Sequence, residues 1–182
     1  NPIQTRAANV VGLIQSGNRK YRNEYVVIGA HFDHLGMGGT GTGSRKPDTT
    51  GTHSGADDNA SGTSGLLEVA HKLVSQKSRL KRSIILLGFD AEEKGLLGAK
   101  YFVDNPLFDL NKIVAMINLD MIGRMKDSSV TVGGVGTSPL FEPLLKKESI
   151  GRNFTLNMTK PGYGPSDHAA FYTKDIPVLF FF

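Results

Sequence analysis

A chain of 182 residues with a formal charge of +4 and 39% hydrophobic residues has the size and composition of one globular domain with a single core, so residues 1–182 are expected to form one unit. No apolar run in it approaches the ~20 residues that span a bilayer, and the absence of cysteine excludes disulfides and thiolate metal sites alike. The basic residues are scattered, with short clusters at Arg79-Leu80-Lys81-Arg82 and Lys146-Lys147, which reads as a solvated surface and not as a track for nucleic acid.

In chain order, apolar and β-branched runs predict strands over residues 9–14, 25–30, 83–89, 113–119, 130–133 and 176–182. Several are apolar without interruption, as strands covered on both faces are. Leu66, Leu67, Val69, Ala70, Leu73 and Val74 recur at helical spacing and predict a helix over 61–75, with shorter ones over 98–103 and 139–149. Strand and helix in turn argue for an α/β fold with a mostly parallel or mixed sheet between helices. Residues 36–55, rich in Gly, Thr and Ser, interrupt this rhythm. A structureless stretch of that length inside a compact domain is uncommon and tends to be functional or disordered.

The chemistry-bearing residues gather where the predicted strands end. The strand over 25–30 runs into His31-Phe32-Asp33-His34, and period-two geometry sends His31 and Asp33 to one side. Ligands of open α/β sheets collect beyond the carboxyl ends of the strands, and an imidazole there can hold a metal with a carboxylate behind its other ring nitrogen. At the start of the long helix stand Asp57 and Asp58, followed by Asn59. Capping accounts for one aspartate; the second, amid Gly55, Ala56, Ala60 and Gly62, has room for close approach by other groups. Glu92 and Glu93 follow the strand over 83–89, and as neighbours they point different ways: one can hold metal while the other faces the attacking water. Asp120 closes an apolar run between Leu119 and Met121, an expensive place for a carboxylate unless a cation is near. Ser166, Asp167 and His168 suggest a hydrolase triad, but residues this close in sequence rarely assemble its geometry, and no G-x-S-x-G precedes them. An oxygen-rich donor set with one or two histidines and no sulfur suits zinc, with cobalt or manganese as chemical substitutes. So many acidic groups favour two cations sharing a carboxylate, a hydrolytic dinuclear centre.

The motifs GAHFDHLG, SGADDNASG, FDAEEKGLLGAKYF, INLDMIG and SDHAAF followed by IPVLFFF stand in an order and spacing that resembles the M28 family of zinc aminopeptidases, from Asn9 onward. The resemblance implies a three-layer α/β/α sandwich with a mixed, mostly parallel central sheet. It also implies zinc-dependent removal of the N-terminal residue from a peptide or protein. Carried over by motif position, His31 and Asp120 bind one zinc, Glu93 the other, and Asp57 bridges the two. Glu92 is then the general base acting on a bridging water, and Asp33 the partner that orients His31. In the family a fifth ligand, a histidine after a tyrosine, lies beyond the strand that ends here at Phe182. The chain is therefore expected to be truncated, with one metal position incomplete and His168 or His53 as candidate substitutes. Alternatives are a glutaminyl cyclase on the same fold and a non-catalytic receptor or scaffold. Family habit places such an enzyme in a secreted or periplasmic setting.

Overall fold

The computed structural model describes residues 6–182. The strands are β1 (Val10–Ile14), β2 (Tyr25–His31), β3 (Ser83–Phe89), β4 (Ile113–Leu119), β5 (Ser129–Gly133), β6 (Thr155–Met158) and β7 (Val178–Phe181). The helices are α1 (Gly62–Ser75), α2 (Leu97–Asp104), α3 (Phe141–Ser149) and α4 (His168–Tyr172). The strands join one sheet in the order β1-β3-β2-β4-β7-β5-β6. Neighbours run parallel at β3-β2, β2-β4, β4-β7 and β5-β6, and antiparallel at β1-β3 and β5-β7. The expected mixed, mostly parallel sheet between helices is what the chain forms.

Consecutive strand residues go to opposite cores, which is why these strands read as unbroken apolar runs. Val27, Ile85, Leu87, Phe89, Met116 and Val178 pack with Phe102 of α2 and Phe171 of α4. Their neighbours Ile28, Ala30 and Ile84 pack with Leu66, Val69 and Leu73 of α1. Further along the sheet, Phe141 of α3 meets Val132 and Leu179. The Phe171 ring lies edge-on to Phe89 at 6.0 Å and stacks on Phe102 at 5.8 Å. Gly29 admits this arrangement, since a Cβ there would stand 2.5 Å from the Phe89 ring.

Two elements lie outside the predicted set. Strand β6 is four residues at the sheet edge and only half buried, so it lacks a strong apolar run. Helix α4, five residues long, is held by packing against α2, β4 and β7 and not by helical periodicity. The last predicted strand begins two residues late, because Pro177 has no N–H for the ladder and its carbonyl instead accepts from Met116. Residues 36–55 are not structureless. Met37 bridges Thr52, and the segment closes through Gly38 N to Gly51 O at 2.7 Å and His53 N to Gly36 O at 2.8 Å.

Because β3, β2 and β4 are adjacent and parallel, their carboxyl ends open on one edge of the sheet. That edge receives His31, the turn after Phe89 and Asp120.

Candidate metal centre

His31 is the last residue of β2 and is 1% exposed. Its carbonyl accepts from Thr63 Oγ1 at 2.8 Å, which ties the strand end to the first turn of α1. Its Nε2 lies 3.3 Å from Asp58 Oδ1 and 3.4 Å from Asp120 Oδ1. Behind the ring, Nδ1 is 3.1 Å from the carbonyl oxygen of Asp33 and 3.6 Å from its carboxylate. That carboxylate also accepts from Glu92 N at 3.0 Å and Glu93 N at 3.3 Å. Asp33 thus locks the loop after β2 to the turn after β3 and sets where the two glutamates sit.

Between β2 and α1 the turn Ala56–Ser61 leaves helical geometry at Asp58 and Asn59, where the connecting peptide is cis. Asn59 is fully buried and fastens this turn to the end of β4. Its Nδ2 donates to Leu119 O at 3.0 Å, and its Oδ1 accepts from Gly62 N at 2.9 Å and Met121 N at 3.2 Å. Gly62 has to be glycine for this approach, since a Cβ would stand 2.4 Å from Leu119 O. The clamp brings Asp58 and Asp120 to one place.

Two groups of donors result, each with its ligand atoms within 4.8 Å of one another: His31, Glu92 and Asp120, and His34, Asp58 and Glu93. His34 Nδ1 is 2.7 Å from Glu93 Oε1 and 3.9 Å from Asp58 Oδ2. Of the residues singled out in the sequence, His31, Asp120, Glu92 and Glu93 converge here, with Asp33 behind them.

Asp57, expected to bridge, does not converge with them. Its Oδ1 accepts from Gly123 N at 2.9 Å and its Oδ2 from Arg124 Nε at 2.5 Å, so both oxygens are committed to the segment after β4. The neighbouring Asp58 faces the imidazoles instead. His168 and His53 enter neither donor group. His53 Nε2 lies 3.1 Å from Ser44 Oγ, and His168 stacks on Phe180 at 4.3 Å in the cleft wall. His34, which no sequence argument assigned, does enter; its signal was a second imidazole in the same strand-end motif.

The electrostatics suit a cation. Burial pulls His31 toward neutrality, but the carboxylates of Asp120 and Asp33 beside its ring, with the charge of Glu92, push it up to about 11. Burial pushes Glu92 up to about 7; His31 opposes, while Asp120, Glu93 and Asp58 add to the rise. Asp58 is raised by burial and then by Asp120. Asp33 goes the other way, because His31 and the Glu92 and Glu93 N–H groups outweigh its burial. Asp120 Oδ1, Glu93 Oε1 and His34 Nδ1 are buried atoms with no hydrogen-bond partner. Four carboxylates around two imidazoles with orphaned donor atoms make a set that divalent cations would neutralise and satisfy. The donors therefore fit the metals that their chemistry implies.

Asp58, Glu92, Glu93 and Asp120 open on a cleft of about 490 Å³, walled opposite by Tyr163, His168, Phe180 and Phe182. Burial lowers His168 to about 4, so its ring is neutral. As pH falls from about 6.5 to 4 the unfolded chain takes up a proton there that the native chain refuses, which costs roughly 3 kcal/mol of stability. Burial raises the adjacent Asp167 well above the carboxylate range, and that group works in the opposite direction. The expected result is that the stability difference between native sequence and His168→Gln shrinks by about that amount from pH 7 to pH 4, read from urea midpoints. A pH-independent difference would mean the ring is not held neutral.

Among the described residues no helix is long and apolar enough to cross a membrane. The model of peptidase family M28 matches residues 9–182. Aminopeptidase YwaD of Bacillus subtilis is 30% identical over 174 residues, covering 92% of this chain and 34% of its own length. The crystal structure of BSAP, a zinc aminopeptidase from Bacillus subtilis, superposes with a TM-score of 0.70 at 30% identity, over 95% of this chain and 39% of that one. The glutaminyl cyclase of Porphyromonas gingivalis superposes with a TM-score of 0.67 at 26% identity, over 94% of this chain and 62% of that one. The chain spans about a third of the length of the curated relatives it matches. With the family's pattern running from residue 9 to residue 182, and with a sheet that superposes on its solved structures, the chain belongs to peptidase family M28.

Proposed function

We propose that the chain carries the catalytic centre of a zinc-dependent aminopeptidase that removes the N-terminal residue of a peptide. The observation that supports this most is the convergence of Asp58, Glu92, Glu93 and Asp120 on a single cleft, with His31 buried directly behind Asp58 and Asp120. His31 and Asp120 would hold one zinc and Glu93 the other, with Asp58, in place of Asp57, reaching toward both. Zinc bound there supplies Lewis acidity, polarising a peptide carbonyl and acidifying water.

The protein groups then divide the work. Glu92 lies in the cleft with its pKa raised to about 7, which suits a carboxylate that takes a proton from the attacking water and returns it to the departing amine. Asp33 does not face substrate. It holds the His31 ring from behind and fixes the backbone of both glutamates, so it is a positioning residue. The aromatic wall of Tyr163, Phe180 and Phe182 offers apolar surface to the side chain of the N-terminal residue. The reading extends to the secreted or periplasmic setting that the family resemblance implies.

Because a glutaminyl cyclase shares this fold, the test needs two arms. Zinc-loaded chain is expected to release nitroaniline from aminoacyl-nitroanilides, to lose that activity on chelation and to regain it with zinc. Cyclisation of an N-terminal glutamine substrate without release of nitroaniline would replace the aminopeptidase reading with the cyclase one.

A further inference from the structure

We propose that the end of the molecule opposite the cleft is a docking surface for an anionic lipid bilayer, built by the β1–β2 and α1–β3 connections and turning the cleft toward the water.

The sequence shows only scattered basic residues and the short cluster Arg79-Leu80-Lys81-Arg82. The fold brings them together. Tyr25, the first residue of β2, stands opposite Ser83, the first of β3, so the residues preceding each strand meet at the amino edge of the sheet. Ser83 Oγ donates to Arg22 O at 2.6 Å and accepts from Ser16 N at 3.0 Å. Ser16 Oγ, on a residue only 3% exposed, donates to Leu80 O at 2.5 Å. These bonds span 61 to 67 residues of sequence and lock the two connections into one surface.

Residues 16–24 and 72–82 carry eight basic side chains and one acidic one, Glu24. The rest of the chain holds thirteen basic and sixteen acidic residues, so a protein of +4 overall concentrates +7 at one end and is −3 elsewhere. Glu24 is taken up by Arg82, whose Nε lies 2.7 Å from its Oε2. The other seven basic residues are exposed, and among the described residues none has a carboxylate within ion-pair distance. Strand β2 is seven residues long, so at about 3.3 Å per residue this basic pole lies roughly 20 Å from the acidic carboxyl edge.

The shape of the array favours a plane. It follows the ends of β2 and β3 and, through Lys72 in the last turn of α1, reaches out to the helix layer. A sheet of anionic headgroups meets such a two-dimensional array whole, whereas a linear polyanion meets one row of it. Tyr21, the one aromatic side chain in the two segments, has Lys20 Nζ at 5.0 Å and Arg82 Cζ at 5.3 Å from its ring centroid. Its ring is engaged by cations and does not offer a free stacking platform for a nucleic-acid base. Clusters of about four to eight Lys and Arg are what anionic bilayers attract, each residue adding a factor of about five in affinity.

The test is co-sedimentation of the 182-residue chain with vesicles of phosphatidylcholine alone and of phosphatidylcholine with about one third phosphatidylglycerol. Binding is expected only to the anionic vesicles and should weaken as salt is raised. Removing four charges from the pole, by Arg19→Gln, Lys20→Gln, Arg79→Gln and Lys81→Gln together, should weaken it by about 100-fold or more. Removing four elsewhere, by Lys146→Gln, Lys147→Gln, Arg152→Gln and Lys160→Gln, should weaken it by less than about fivefold. Both variants are checked for folding by circular dichroism, and the comparison of vesicles with the native chain depends on neither. Equal binding to neutral vesicles, or equal loss in the two variants, would overturn the surface. A chain that ignores both kinds of vesicle overturns it too, and retention on heparin or duplex DNA in their place would identify a linear polyanion as the partner. The readout needs neither metal nor turnover, so it stands or falls apart from the peptidase activity.

Discussion

Replacing Glu92 by Gln is expected to lower turnover by about 10²–10⁴-fold, the range for removing a general acid–base group, while metal content per chain stays at the native level. The amide keeps the shape of the carboxylate but can no longer accept the proton. The measurement has a second edge, because Glu92 offers an oxygen within 4.8 Å of the donor atoms of His31 and Asp120. If Glu92 is a ligand and not a base, the variant will lose an ion, seen by mass spectrometry of the metal, in step with its activity. Full turnover in the variant would remove Glu92 from the chemistry altogether.

The second large effect separates two adjacent aspartates. Asp58→Asn is expected to reduce occupancy at both cation positions and to abolish activity, since it removes the charge that faces both imidazoles. Asp57→Asn is expected to leave metal content unchanged. Its amide oxygen still accepts from Gly123 N, and what it forfeits is an ion pair to an Arg124 side chain that is 72% exposed. Such exposed pairs contribute about 1 kcal/mol or less, visible as a small drop in Tm. Metal loss in Asp57→Asn with retention in Asp58→Asn would reverse the assignment.

The legible part of the fold was the part written in buried strands. The central strands β2, β3 and β4 are covered on both sides, so their residues are apolar throughout and their limits follow from where that run stops. Helix α1 shows the same legibility through its apolar stripe. Strand β6 and helix α4 were illegible because each is held mainly by its neighbours: one at a half-exposed sheet edge, the other by contacts with α2, β4 and β7. The segment over 36–55 read as loop because its closure uses backbone groups that leave no side-chain pattern.

By itself the sequence determined which functional side chains stand at the sheet's carboxyl edge: His31, Glu92, Glu93 and Asp120 follow directly from strand ends, and strand ends follow from local apolar runs. Tertiary structure alone decided which member of each neighbouring pair turns inward. Asp58 and not Asp57 faces the imidazoles, and His34 joins Glu93, because Asn59 clamps the turn to β4, Asp33 clamps the glutamates to β2, and Gly55 lets the two loops meet. The physical reason is one of scale. A one-residue choice of direction depends on hydrogen bonds between segments about 30 to 60 residues apart, and these exist only once the sheet has brought the segments together.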